Sequence, residues 1–247
     1  MACAKALDPM DSRAISAVVG MFLILAVLAS VVTVLVVYKL PVMEKREEFR
    51  HEKALLDRFF ELRKSYMGDC YESFELGSSP LPFLSTHESS SLRVWRCGEV
   101  DVKVYNGTSL VEEFLGRLFG YNLSVYPSRL PYVKAVLTPL GTAIYQGGFR
   151  LNLSNETELY INSIVVNSTV LKVYVDNYSV NDHLENFTIS GTGQVFVSVS
   201  SNSTPGLNLN ATRVIVTVSS VFGKRSVVVS AGGKVKVYYR NYSVYVW

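Results

Sequence analysis

The chain is poor in the residues that most often carry metal or nucleotide chemistry. Its 247 residues include three Cys and three His, and no His-Glu-x-x-His, paired Cys-x-x-Cys or phosphate-loop pattern occurs. Charge is also scarce: 18% of residues are Asp, Glu, Lys or Arg, and 24 basic against 21 acidic residues leave a formal +3. That balance is too even for a phosphate-neutralising surface, so nucleic acid is not an expected partner. A strained Gly-x-Ser-x-Gly turn is missing as well. His51 falls in a charged stretch and His87 and His183 in polar ones, without a second ordered motif. The expectation is a non-enzyme with no cofactor and no metal. A hydrophobic content of 49% rules out a disordered tail.

What the chain has in excess is unevenly placed. Ala14 to Tyr38 (AISAVVGMFLILAVLASVVTVLVVY) is 25 residues without a charge. As an α-helix it would extend about 37 Å, against a bilayer hydrocarbon core of about 30 Å. A buried core helix is the alternative, but such helices are rarely this long and apolar on every face. An ordinary secretory signal fits poorly, because its apolar stretch should be about 7 to 15 residues and a cut after Ala29 would leave SVVTVLVVY exposed. Beyond the run, Phe49, Leu56, Phe59, Phe60, Arg63 and Tyr66 recur at helical spacings, while Glu47, Arg50, Lys53, Asp57, Glu61 and Lys64 take other faces. The spacing predicts one helix from about Ile15 to Tyr66, bent at Pro41, with Phe49, Leu56, Phe59, Phe60 and Tyr66 packing on the C-terminal part of the chain. Two helices with a loop at 39–42 are the alternative, since Pro can also end a helix.

After Gly68 the pattern has period two. Ser91 to Cys97, Val100 to Tyr105, Val170 to Val175, Gln194 to Ser200, Arg213 to Ser219 and Lys234 to Tyr239 read as strands with one buried face each. Asn106-Gly107, Gly191-Thr192-Gly193, Pro205-Gly206, Gly223 and Gly232-Gly233 read as turns between them. Short strands at this spacing suggest a sandwich or barrel. One helix is expected among them, Leu110 to Phe119, opened by the capping box Ser109-x-x-Glu112 and closed at Gly120. The tail YYRNYSVYVW (238–247) reads as a strand completing the sandwich. The predicted fold class is therefore α+β: a long N-terminal transmembrane α-helix, then an antiparallel β-sandwich head with one short helix. The expected divisions are 15–38 for the membrane helix, 39–66 for its amphipathic extension and 67–247 for the head.

Thirteen Asn occur, and ten begin an Asn-x-Ser/Thr triplet without Pro in the middle: Asn106, Asn122, Asn152, Asn155, Asn167, Asn177, Asn186, Asn202, Asn210 and Asn241. With 40 Ser and Thr in 247 residues, chance would supply roughly two under the acceptor rule. The enrichment points to a β head made outside the cytoplasm and carrying sugar; a Ser/Thr/Asn-rich β surface is the alternative. From Met67 onward there are 14 basic and 13 acidic residues in 181, and 186–212 has none. Glycans could supply the solubility that charges usually supply. Cys70 and Cys97 lie in the same part, and an even pair in an oxidising compartment suggests a disulfide, with two reduced buried thiols as the alternative. Counting Lys and Arg points the other way. Lys5 and Arg13 precede the span while Lys39, Lys45, Arg46, Arg50 and Lys53 follow it, which would place the head inside. The sequons and cysteines decide for outside, because the downstream basic residues are interleaved with Glu44, Glu47, Glu48 and Glu52.

The short polar leader ending Ser12-Arg13-Ala14, followed by ISAVVGMFLILAVLASVVTVLVVY, resembles the archaeal type IV pilins and pilin-like proteins with a class III signal peptide. RAISAVVG is similar to that family's opening, with Ala17 where Pro is common and Val19 where bacterial pilins usually have Glu. The stretch LPVMEKREEFRHEKALLDRFFELR is similar to a subset whose membrane helix runs through a Pro into a charged helix. The resemblance covers about the first quarter of the chain. It implies a cleavable leader over 1–14, cut by a prepilin peptidase between Ala14 and Ile15 after the basic Arg13. It further implies anchoring in the cell membrane by a single pass with the C-terminal domain outside, and self-association through the N-terminal helix under the pilus assembly machinery. The implied function is a structural or minor subunit of a surface filament, serving adhesion or a related envelope task. A single-pass surface glycoprotein that binds a ligand and never polymerises would use the same span.

Overall fold

The apolar run and the charged stretch behind it form helix without a break. In the computed structural model, which describes residues 9–77, 89–181 and 186–247 with side chains from Ser16 on, α1 spans Pro9–Val34 and α2 spans Leu40–Glu61. A π turn, Leu35–Lys39, joins them, and a 3-10 turn, Leu62–Tyr66, ends the helix. Pro41 has no N–H, and its ring collides with the carbonyl one α-turn back, at Val37. The π turn covers that position: Leu40 N–H donates to the Leu35 carbonyl five residues back. The proline is thereby absorbed, and no loop forms at 39–42.

By its contacts the chain divides into two compact units, Met1–Glu47 and Glu48–Trp247. In the second, the helix buries Glu48, Glu52, Leu55, Phe59, Leu62 and Ser65, with Leu56, Phe60 and Tyr66 half-buried. The spacing four, three, four, three, three is a helical stripe, but its phase differs from the expected one. Phe49 is 58% exposed, and Leu55 and Leu62 occupy the seam instead. Two glutamates continue the apolar stripe toward the N-terminus. Glu48 is 1% exposed, and its carboxylate accepts from the Ser128 hydroxyl and, at 3.1 Å, from Arg129 N–H. A buried acceptor held by a loop's donors can replace an apolar contact on such a face.

The β part comprises β1 Cys70–Glu75, β2 Ser89–Asn106, β3 Ser109–Tyr126, β4 Val133–Thr138, β5 Gly141–Gln146, β6 Phe149–Asn155, then α3 Thr157–Ile164, β7 Val165–Val166, β8 Leu171–Val180, β9 Asn186–Gly191, β10 Gln194–Ser203, β11 Leu207–Ser220 and β12 Gly223–Val246. Among the described residues they form one hydrogen-bonded sheet in the order β1-β10-β12-β11-β2-β3-β4-β5-β6, with β8 beside β12 and β9 beside β2. Pairing is antiparallel except for β8 and β12, which run parallel from Leu171 opposite Val235 to Val180 opposite Val244. The long strands serve two neighbours in succession. β2 pairs with β9 through Ser90–Trp95 and with β11 through Gly98–Tyr105, with a register shift between Arg96 and Gly98. β12 follows β11 and then β10, and β11 has its own shift between Ala211 and Arg213. Bulges bend a strand and raise its twist, which lets one strand pass from one layer to the next.

The layers meet where β3 faces β8, strands that share no ladder among the described residues. Phe119 on β3 lies edge-on to Tyr178 on β8 at 4.2 Å between ring centroids, and Phe114 meets Tyr239 at 5.8 Å. At Gly116 a Cβ would lie 2.3 Å from the Asp176 carbonyl oxygen. Only glycine permits that approach, so Gly116→Ala should force the layers apart and cost about 1 to 3 kcal/mol. Denaturant unfolding of the full chain in detergent checks this, and an unchanged midpoint would refute the close contact.

The expected helix over Leu110 to Phe119 is strand. Within β3, Phe114, Gly116 and Leu118 are buried while Leu115 and Arg117 are exposed, a period of two. An isolated ten-residue helix is marginal in water, whereas the Asn106-Gly107 turn, with Gly107 at φ +63°, closes a hairpin that pairs β3 with β2 along its length. The short helix is α3, eight residues over Thr157–Ile164, which buries Tyr160, Ile161 and Ile164. Asn155, one residue before the N-cap Glu156, turns the chain into it, its Oδ1 accepting from Thr157 N–H at 3.1 Å and from the Thr157 hydroxyl at 2.8 Å.

Candidate assembly and modification sites

The first unit presents its apolar side chains outward. Met21, Phe22, Leu23, Ile24, Val27 and Tyr38 are all exposed, and none of the most apolar window of the helix is buried. Ser30 and Thr33 donate their hydroxyls to the carbonyls of Val27 and Ala29 at 2.7 and 2.8 Å, so these two hydroxyls are satisfied within the helix itself. This is one N-terminal helix long and apolar enough to cross a membrane. Residues 1–8 of the expected leader lie outside the described residues. Arg13, Ala14 and Ile15, the expected cleavage junction, fall on the backbone of α1.

The expected disulfide is not formed: Cys70 and Cys97 are free thiols. Cys70 sits on β1, which pairs with β10, and Cys97 on β2, which pairs with β3, β9 and β11, so no ladder sets the two side by side. Cys97 is buried, and burial pushes its thiol well above the usual range. Burial also raises Cys70, with the nearby Glu72 carboxylate adding to it.

The ten sequon asparagines spread over the β unit. Asn106, Asn152, Asn155, Asn167, Asn186, Asn202, Asn210 and Asn241 are exposed, and Asn122 and Asn177 are half-buried. An asparagine outside any sequon is the one built most fully into the frame. Asn181, at φ 39°, donates from Nδ2 to the Val246 carbonyl at 3.1 Å and accepts the Val246 N–H at 2.9 Å. It thereby extends the β8 and β12 pairing past the last ladder position.

A buried polar cluster lies between β8, β12 and α3, with no sequence motif to mark it. Asp176 is 1% exposed; it accepts from Arg240 Nε at 2.6 Å, from Arg240 Nη2 at 3.0 Å and from the Tyr160 hydroxyl at 2.8 Å. Burial pushes its carboxyl up, and Arg240 and Tyr160 pull it back only in part. A cavity of about 460 Å³ borders the cluster, lined by Arg63, Glu156, Ser163 and Tyr160 among others, with Arg63 paired to Glu156. The signal in the sequence is a break of phase: the inward positions Leu171, Val173 and Val175 are odd and Tyr178 and Val180 even, with Asp176 at the change. Because the guanidinium and the phenol already engage both Asp176 oxygens, the cluster reads as a cross-link between β8, β12 and α3 rather than a reacting group. Among the described residues no group of three His, Cys, Asp or Glu is placed to hold a metal ion. His51 lies on α2, while His87 and His183 lie outside the described residues. No protein family, curated protein or solved structure matches this chain.

Proposed function

We propose that this chain is a structural or minor subunit of an archaeal type IV pilus-like surface filament, with the β unit as its external, glycosylated head. The observation that carries the reading is an apolar helix with no buried window, continuous with the helix whose later turns pack in the β unit. A side-chain surface of that kind is stable in lipid or against copies of itself, not in water. In this reading the leader is removed between Ala14 and Ile15. The polar leader resists entry into hydrocarbon, where a charge costs about 2.5 to 3.5 kcal/mol at the helix centre, so the junction stays at the membrane surface for the peptidase. The new end, Ile15 to Tyr38, is 24 residues without a charge, and it leaves lipid for an equally apolar filament core at little desolvation cost. Peptidase and assembly machinery are the implied partners, and adhesion or a related envelope task is the implied role.

N-terminal mass spectrometry of the native protein should find Ile15 as the first residue. A start at Met1 or Ala2 favours the second reading, a permanent single-pass glycoprotein anchor, and a start at Ser30 indicates ordinary secretion. Shearing the cells should release the chain with surface appendages, and recovery in the membrane fraction alone counts against polymerisation. Replacing Arg13 and Ala14 with residues the peptidase rejects should trap the chain in the membrane.

A further inference from the structure

We infer that Asn177 and Asn241 form an exclusive pair, in which Asn241 carries an N-linked oligosaccharide and Asn177 stays bare. The inference rests on the reading of the β unit as an externally glycosylated head. Both residues begin Asn-Tyr-Ser triplets. They stand directly opposite each other on β8 and β12, and Asn177 Nδ2 donates to Asn241 Oδ1 over 3.4 Å. Neighbouring strands are about 4.8 Å apart, and a pyranose ring is about as wide as that gap. Two sugar-bearing side chains at one register position would have to share the same space or part the strands, and the same limit holds between Asn241 and Asn202, which stands opposite it on β10.

The register cannot slip to relieve them. One residue on, Tyr178 and Tyr242 stack at 4.6 Å between centroids, and both are buried. A shift of one residue would turn both rings out of the core.

Exposure and hydrogen bonding decide which member is modified. Asn241 is exposed; Asn177 is half-buried in a groove also lined by Arg96, Arg117 and Ser179. In the transfer, the asparagine Nδ2 attacks the anomeric carbon of a polyprenyl-phosphate-linked oligosaccharide. The N–C bond forms, the C–O bond to phosphate breaks with its electron pair leaving on the phosphate, and Nδ2 gives one proton to a base of the transferase. Sugar on Asn241 Nδ2 leaves Asn241 Oδ1 accepting from Asn177. Sugar on Asn177 would sit on the nitrogen that faces Asn241 and displace that side chain.

Glycopeptide mass spectrometry of the full chain from its native cells tests the pair. Occupancy should be high at Asn241 and near zero at Asn177, so that the two fractions sum to no more than one. A sum above one requires chains modified at both sites and overturns the exclusion. Asn177 as the modified member, or a bare Asn241 while Asn106 and Asn210 carry sugar, overturns the assignment and leaves the glycosylated-head reading standing. Sugar at none of the ten sequons sinks that reading and this inference with it. In Asn241→Ala, occupancy at Asn177 should rise several-fold, while Asn177→Ala should leave Asn241 unchanged. No rise in the first variant, or a change in the second, would also overturn the pairing.

Discussion

Arg240→Met should destabilise the β unit by about 3 to 5 kcal/mol, because it leaves the Asp176 carboxylate buried without its counter-charge. Asp176 is 1% exposed, and Arg240 supplies two of its three donors. The double variant Arg240→Met with Asp176→Asn should recover most of the loss, since no uncompensated charge then remains. Denaturant unfolding of the full chain in detergent measures both, and equal losses in the single and double variants would refute the cross-link. The pH dependence has an unusual sign for a carboxylate. Burial holds the folded-state value of Asp176 above the ordinary 3.8, so its contribution is full below that value and declines as pH rises through the raised one. Relative to Asp176→Asn, the native chain should therefore lose stability as the pH rises from 3.8. A flat or opposite difference would place the carboxyl at or below its ordinary value.

Phe59→Ala should cost about 3 to 5 kcal/mol and Phe49→Ala no more than about 0.5. Phe59 is fully buried and meets Phe60 edge-on at 5.5 Å between centroids, whereas Phe49 is exposed. The same seam carries polar contacts. Tyr66 donates its hydroxyl to the Leu137 carbonyl at 3.0 Å, and the Tyr121 hydroxyl bonds Ser65 at 3.1 Å. A chain beginning at Gly68 loses Phe59, Leu62, Ser65 and Tyr66 together and should be unstable, while one beginning at Val42 keeps them all. Thermal unfolding of the two point variants and of the two truncated chains decides it. Equal stability of the truncated chains would remove the helix from the core.

The two phenylalanines also mark how far a helical pattern can be read. Phe49, Leu56, Phe59, Phe60 and Tyr66 suit a single apolar face when only apolar residues are counted. The face that is buried runs through Glu48, Glu52, Leu55, Phe59, Leu62 and Ser65. A hydropathy pattern places glutamate in water, and the donors that satisfy Glu48 come from Ser128 and Arg129, about eighty residues away. Nothing near Glu48 in the chain announces them.

Features with local causes were legible in the sequence. The uncharged run needs only its own length and side chains to make a membrane-length helix. Period two and Gly-rich turns mark strands such as Gln194 to Ser200 and Arg213 to Ser219, because each residue's facing follows from its neighbours. The sequons, too, are visible in the chain as triplets. Tertiary structure decided what depends on partners far along the chain. Leu110 to Phe119 carries a local helix signal that the hairpin ladder with β2 overrides. The parallel pairing of β8 with β12 buries Asp176 against Arg240 and sets Asn177 beside Asn241, residues 64 positions apart. Strand pairing joins backbone groups whose sequence separation can be any length, so no local pattern of side chains encodes which strands meet or in what register.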